Sequence, residues 1–180
     1  MSNDINAYRL KATIMYARDV VRDLSLIDRS SLVDIIYEIG NDENCIVPSM
    51  ILAVKLADEL AIQRGVEYSK ELATVCLVLA CKYYEDRSFD KIAFARDYCR
   101  NKLVIDMEYE IADYYKFDLN RNTYCDILGK TLPIDDIGNM FFSREFRKFS
   151  YIICHTGDLL SMDQEEIANY IAKPDGLLHG

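Results

Sequence analysis

Apolar residues recur along this chain at spacings of three and four, the period of a helix with one buried face, and no stretch alternates as a half-buried strand does. Ile5, Tyr8, Ala12, Met15 and Asp19 fall on one line, flanked by Ile14, Ala17 and Val21, which predicts a helix over residues 4–23. A second helix is expected from Arg29 to Ile39, stopping at Gly40 before the polar loop Asn41-Asp42-Glu43-Asn44. A third opens near Pro48, whose missing N–H has no intrahelical partner to lose in a first turn, and ends before Gly65. Ser69 caps a fourth, ELATVCLVLACKYYE, which is apolar on every side and therefore central and buried. Ser88 caps a short fifth, FDKIAFARDYC, and Asn101 starts a sixth, KLVIDMEYEIADYYK. Thr123 opens a short helix ending at Gly129, and residues 136–155 read as one helix after the Leu132-Pro133 break. Ser161 and Gln164 have capping-box spacing ahead of a last helix, DQEEIANYIA. The pattern predicts an all-α bundle around a buried helix over Leu72–Tyr84.

Composition narrows the function classes. At 180 residues, with 51% hydrophobic and 28% charged, the chain is of one-domain size and ordinary globular composition. A net charge of −9 counts against nucleic acid, whose binding rests on cations meeting phosphates, and against an anionic membrane surface. The longest run of small or apolar residues, Leu72–Cys81, is half the ~20 that a membrane span needs. MSNDINAYRLK lacks the layout of a signal peptide. The six cysteines, at 45, 76, 81, 99, 125 and 154, contain no C-x-x-C pair, and His155 and His179 are too few for a His-rich metal site. The expectation is of reduced cysteines in an intracellular protein, nuclear or cytoplasmic, with no metal and no cofactor.

Enzyme signatures are missing too: there is no phosphate-binding Gly-rich loop, no H-E-x-x-H and no G-x-S-x-G. Asp135-Asp136 reads as an acidic first turn that complements a helix dipole. Cys154 and His155 are neighbours on a helix, so their side chains diverge by ~100° and make no dyad.

Two charges stand out, Lys82 near the end of the most apolar helix and Glu108 in the middle of VIDMEYEIADYYKF. Around them run Leu79-Ala80-Cys81-Lys82-Tyr83-Tyr84-Glu85-Asp86, then Met107-Glu108, and then Phe117-Asp118-Leu119 followed by Asn120-Arg121-Asn122-Thr123. Upstream lie Asp28-Arg29-Ser30-Ser31-Leu32-Val33-Asp34-Ile35, Glu38 and Gly40, and Asp58 in the apolar setting Ala53-Val54-Lys55-Leu56-Ala57. In type, order and spacing these residues resemble the cyclins, the regulatory subunits of cyclin-dependent protein kinases. The resemblance is specific over residues 25–130, and residues 136–172 resemble the first two helices of a second cyclin box, with Gln164-Glu165-Glu166-Ile167-Ala168 at the second helix start.

The resemblance implies a box of five helices around its third, with an N-terminal helix in residues 1–24, the box in 25–130 and a truncated second box in 131–180, since longer members continue beyond this point. It assigns Arg29 and Asp58 to a structural ion pair. It assigns Lys82 and Glu108 to the kinase interface, on an apolar floor of Tyr83, Leu79, Phe117 and Ala112, with the N-terminal helix as a second contact. The implied protein has no catalytic residues of its own, is a monomer when free and a heterodimer with its kinase, and activates that kinase allosterically. An adaptor that binds a protein without activating a kinase and a transcription-factor-IIB-like protein are the alternative readings; the acidic charge counts against the second. Cell-cycle cyclins also recruit Arg-x-Leu peptides in an apolar groove. Here Asp28, Ser31 and Ile35 stand where the family has Met, Ile and Trp, and Ser69-Lys70 where it has Leu-Gln, so no such docking is expected.

Overall fold

Asp28, Ser69, Ser143 and Asp163 each open a helix by accepting a backbone N–H that the helix leaves without a partner. The computed structural model describes residues 24–85, Tyr98 and residues 103–173, so the helices expected over 4–23 and 89–99 lie outside the described residues. In α1 (Arg29–Asp42), the Asp28 carboxylate accepts the Ser31 amide at 2.7 Å, and this bond holds its pKa below the ordinary value. Pro48 lies in the first turn of α2 (Val47–Arg64), which closes on Gly65 at φ 67°, a left-handed position that favours glycine. Ser69 caps α3 (Lys70–Tyr84), accepting the Leu72 amide at 3.0 Å. After α4 (Leu103–Tyr114), Thr123 and Asp126 form a reciprocal capping box that starts α5 (Tyr124–Thr131). The remaining helices are α6 (Ile134–Phe142), α7 (Arg144–Thr156) and α8 (Gln164–Ala172). Among the described residues the fold is all-α, with eight helices and a single antiparallel bridge between Leu26 and Ser69.

Four boundaries differ from the sequence reading. α1 passes through Gly40 to Asp42, and α5 runs two residues beyond Gly129. Residues 136–155 are not one helix: Ser143 takes an extended conformation, φ −70° and ψ 142°, and its hydroxyl accepts the Phe146 amide at 3.1 Å, ending α6 and capping α7. Ser161 does not cap α8; its amide and hydroxyl turn back to Asp158, while Asp163 accepts the amides of Glu165 and Glu166 at 3.0 and 3.1 Å. The carboxylate immediately before the helix serves as the cap, and the serine two residues further back serves a turn.

α3 is the centre of the fold. Its residues are buried from Glu71 through Cys81, with α1, α2 and α4 packed around it. Leu72, Val75, Leu77, Val78 and Leu79 are at most 4% exposed, and each such side chain contributes about 1.5–3 kcal/mol when fully buried. The buried Glu71 carboxylate is met by the Ser25 amide at 3.1 Å, which ties the segment before α1 to the start of α3. α7 lies against α1 and α2, on the side of the bundle where they meet, and α8 lies against α5. No helix among the described residues is long and apolar enough to cross a membrane.

Gly40 continues α1 because of what it faces. A Cβ there would stand 2.4 Å from Met50 Sδ and 2.8 Å from its Cγ, and Met50 is fully buried. Gly40→Ala, which would favour a free helix by about 1 kcal/mol, is therefore expected to destabilise this one by about 1–3 kcal/mol through overpacking. Urea unfolding measures it, and shortening Met50 to Val in the same chain should recover most of the loss.

Beneath α7 lies a cluster of protonated groups: Tyr37, Tyr124, Cys125 and Cys154. Burial pushes the Cys154 thiol from its ordinary 9.0 up to about 12, and burial raises both tyrosines and Cys125 as well. The unfolded chain releases the Cys154 proton near 9.0 and the native one keeps it to about 12. The stabilisation is therefore complete below the unfolded value and is lost as pH rises toward the folded one. The urea midpoint is expected to hold from neutral pH to about pH 8 and to fall steadily across the alkaline window above it; a midpoint flat across that window would show that the cluster opens without cost.

Candidate functional site

Two charged constellations are built on this scaffold. The first spans the α3–α4 contact. Lys82, in the last turn of α3, donates from Nζ to Glu108 Oε1 in the middle of α4. The Lys82 side chain is 34% exposed and that of Glu108 only 7%, so the pair sits at the surface with its carboxylate sunk into it. An ammonium has three donors, so one bond to Glu108 leaves capacity for a partner chain.

The aromatic residues around the pair divide by exposure. Tyr83 follows Lys82, is 44% exposed, and stands edge-on to Tyr84 at 4.9 Å between centroids. Tyr84 is anchored inward: its hydroxyl donates to Asp126, and burial together with that bond raises its pKa. Phe117 is 69% exposed, on a turn held by its amide to Ala112 O at 2.9 Å and the Lys116 amide to Asp113 O at 3.0 Å. Lys116 and Phe117 both have positive φ, 53° and 58°. Left-handed backbone at a bulky residue costs of order 1–3 kcal/mol, and strain of this kind concentrates at functional positions. Leu79 and Ala112 are instead core residues, 4% and 5% exposed. They support the surface from below, and of the residues named from the sequence it is Tyr83 and Phe117 that face solvent.

Tyr109, which the sequence reading passed over, is 67% exposed beside Glu108. Val104, Met107, Ile111 and Ala112 are the buried face of α4, which puts Tyr109 on the opposite side. Its signal was an aromatic residue between two acids, off the apolar line of the helix.

The second constellation joins segments far apart in the sequence, Arg29 and Asp58 to Cys154 and Leu159. Arg29 meets Asp58 through two bonds, Nε to Oδ1 and Nη2 to Oδ2, each 2.8 Å. Asp58 is fully buried and also accepts the Tyr68 hydroxyl at 2.9 Å and the Leu159 amide at 3.0 Å. The third guanidinium nitrogen of Arg29 donates to the Cys154 carbonyl at 2.5 Å. Burial works against the Arg29 charge, but the bond and the charge of Asp58 outweigh it and hold the guanidinium pKa above its ordinary value. Burial and the same carboxylate push the Tyr68 hydroxyl upward. One aspartate thus fixes α1, α2, the segment before α3, and the turn after α7.

Cys154 and His155 diverge. The thiol is buried, 3.9 Å from the Tyr37 hydroxyl, while His155 Nε2 reaches Asp34 Oδ1 at 3.0 Å on the outside of α1.

A family model described as cyclin, N-terminal domain, matches residues 3–120. No curated protein and no solved structure matches the chain.

Proposed function

The chain belongs to the cyclin family, and from that premise we propose that it binds a cyclin-dependent protein kinase and activates it allosterically. The observation that carries this reading is the Lys82–Glu108 pair at the exposed end of the central helix, flanked by Tyr83 and Tyr109. Aromatic anchors supply most of the energy of a protein interface, and a charge pair among them fixes register and orientation. A kinase is active when the Glu of its regulatory helix pairs with its ATP-binding Lys. A partner that binds only that arrangement shifts the population toward it, and needs no catalytic group of its own. Residues 25–130 serve as the box in this reading, and residues 131–180 as a second-box-like extension fastened to it through Asp58 and Leu159.

Affinity capture with the full chain, followed by a phosphorylation assay on the captured material, tests the proposal. A co-purifying kinase whose activity rises with added chain supports it. Capture with unchanged activity would make the chain an adaptor, and promoter DNA in place of a kinase would make it a factor-IIB-like protein.

Substrate recruitment through an Arg-x-Leu groove is not expected. Asp28 and Ser69 are used as the caps of α1 and α3, Ser31 is polar and Leu32 is fully buried, so of the groove positions only the half-buried Ile35 offers an apolar contact. Several large apolar contacts are missing, each worth about 1.5–3 kcal/mol. Calorimetric titration with an Arg-x-Leu peptide should show no binding tighter than about 10 μM, near −7 kcal/mol. Tighter binding abolished by Ile35→Ala would show a working groove.

A further inference from the structure

We propose that Cys45, Cys81 and Glu85 form a binding site for a thiophilic divalent cation of the zinc class. The two sulfurs lie 3.3 Å apart in the core, and their ligand atoms and a Glu85 carboxylate oxygen are all within 4.8 Å of one another. Cys81 and Glu85 are four residues apart at the end of α3, which places both on one face of that helix end. Cys45 comes from the loop between α1 and α2. Ser49, in the first turn of α2, donates its hydroxyl to Glu85 Oε2 at 2.6 Å, the way an outer hydroxyl orients a carboxylate that ligates a metal. Both sulfurs are buried and Glu85 is half-buried, so the carboxylate forms the solvent side, where a water completes a four-coordinate set.

Distance separates a cation from a disulfide. Zinc–sulfur bonds of about 2.3 Å at a tetrahedral angle put two sulfurs about 3.8 Å apart, so this pair has only about 0.5 Å to open. A disulfide at about 2.05 Å would need the sulfurs to close by more than twice that. The backbone on both sides of the pair is held in place. The Cys45 amide is bonded to Gly40 O and its carbonyl to Arg147, both at 2.8 Å, and the Glu85 amide to Cys81 O at 2.7 Å. Binding exchanges two S–H bonds for two metal–sulfur bonds and releases two protons, with no change of oxidation state. The cation competes with protons for the two thiols, so it binds more tightly as pH rises. The ion would fasten the α1–α2 loop to the last turn of α3, next to Lys82; the inference does not depend on what Lys82 binds.

The test uses the full chain, reduced, stripped of metal by a chelator and freed of thiol reagent. Titration with cadmium, read by thiolate-to-metal absorption in the ultraviolet, and with zinc, read against a chromophoric chelator, should give one ion per chain, two protons released, and a higher Tm. Cys45→Ser and Cys81→Ser should each remove the absorption band. Glu85→Gln, at the half-buried rim, should weaken binding by at least ~10-fold while leaving the circular dichroism spectrum unchanged, and it carries the test if a serine variant does not fold. Absence of the band, an equal band in Cys45→Ser, unchanged affinity in Glu85→Gln, or a metal-free chain lighter by two hydrogens through a disulfide would each overturn the proposal.

Discussion

Replacing Asp58 with Ala is expected to lower the unfolding free energy by about 3–5 kcal/mol, and with it Tm by roughly 10 °C for a chain of this length. The size follows from what the carboxylate holds. A solvent-exposed ion pair contributes about 0–1 kcal/mol, because water competes for both partners. Asp58 is fully buried, and its loss strands the Arg29 guanidinium, the Tyr68 hydroxyl and the Leu159 amide at once. Leu159 follows α7 and Cys154 lies within it, so the loss also loosens the C-terminal helices. Hydrogen exchange at Leu159 should accelerate more than exchange in α3. Replacing Arg29 by Met together with Asp58 by Leu removes both charges, and should cost less than the sum of the two single replacements by about 0.5–3 kcal/mol. A Tm change under about 2 °C for Asp58→Ala would mean that the network behaves as a surface pair.

What the sequence could say about this fold depended on whether the signal was local. α3 was legible because nothing polar interrupts it from Leu72 to Cys81 but Thr74, whose hydroxyl bonds back to Lys70 O. The starts of α3 and α5 were legible because Ser69 and Thr123 are caps acting within three residues. The break at Ser143 left no such signal, because Phe142, Phe146, Phe149 and Ile153 keep helical spacing across it and only the burial pattern changes face. Phe146, Ser150 and Cys154 are buried four apart, but Met140 precedes Phe146 by six, a step that no single helix face takes.

At the sites the limit is different. Residue types carried the resemblance that singled out Arg29, Asp58, Lys82 and Glu108. The partners of Asp58 and Arg29 at the far end of the chain are a backbone amide and a carbonyl, which leave no residue signature. Cys45 and Cys81, 36 residues apart, meet only because the α1–α2 loop packs on the end of α3. The exposure of Tyr83 and Phe117 against the burial of Leu79 likewise follows from packing around α3 and α4.

Reversing the charge of Lys82 by Lys82→Glu is expected to weaken kinase binding by at least 2–5 kcal/mol, about 30- to 4,000-fold. Glu108→Lys should do the same. Both follow from the proposed place of the pair at a kinase interface, where losing one partner of a desolvated hydrogen-bonded charge leaves the other uncompensated. A purely structural pair would also lose something on reversal, so the single variants do not settle the role. The exchanged chain, carrying Lys82→Glu and Glu108→Lys together, does. It restores an internal ion pair across α3 and α4, and its Tm should return to within about 2–4 °C of the parent, or about 1 kcal/mol for this size. To a partner, however, it presents an acid where the parent presents an ammonium, at the end of α3 that is 34% exposed at Lys82. Binding should stay lost in the exchanged chain while stability recovers. If stability and binding recover together, the pair serves only to hold α4 against α3, and the contact with a kinase lies on another face of the bundle.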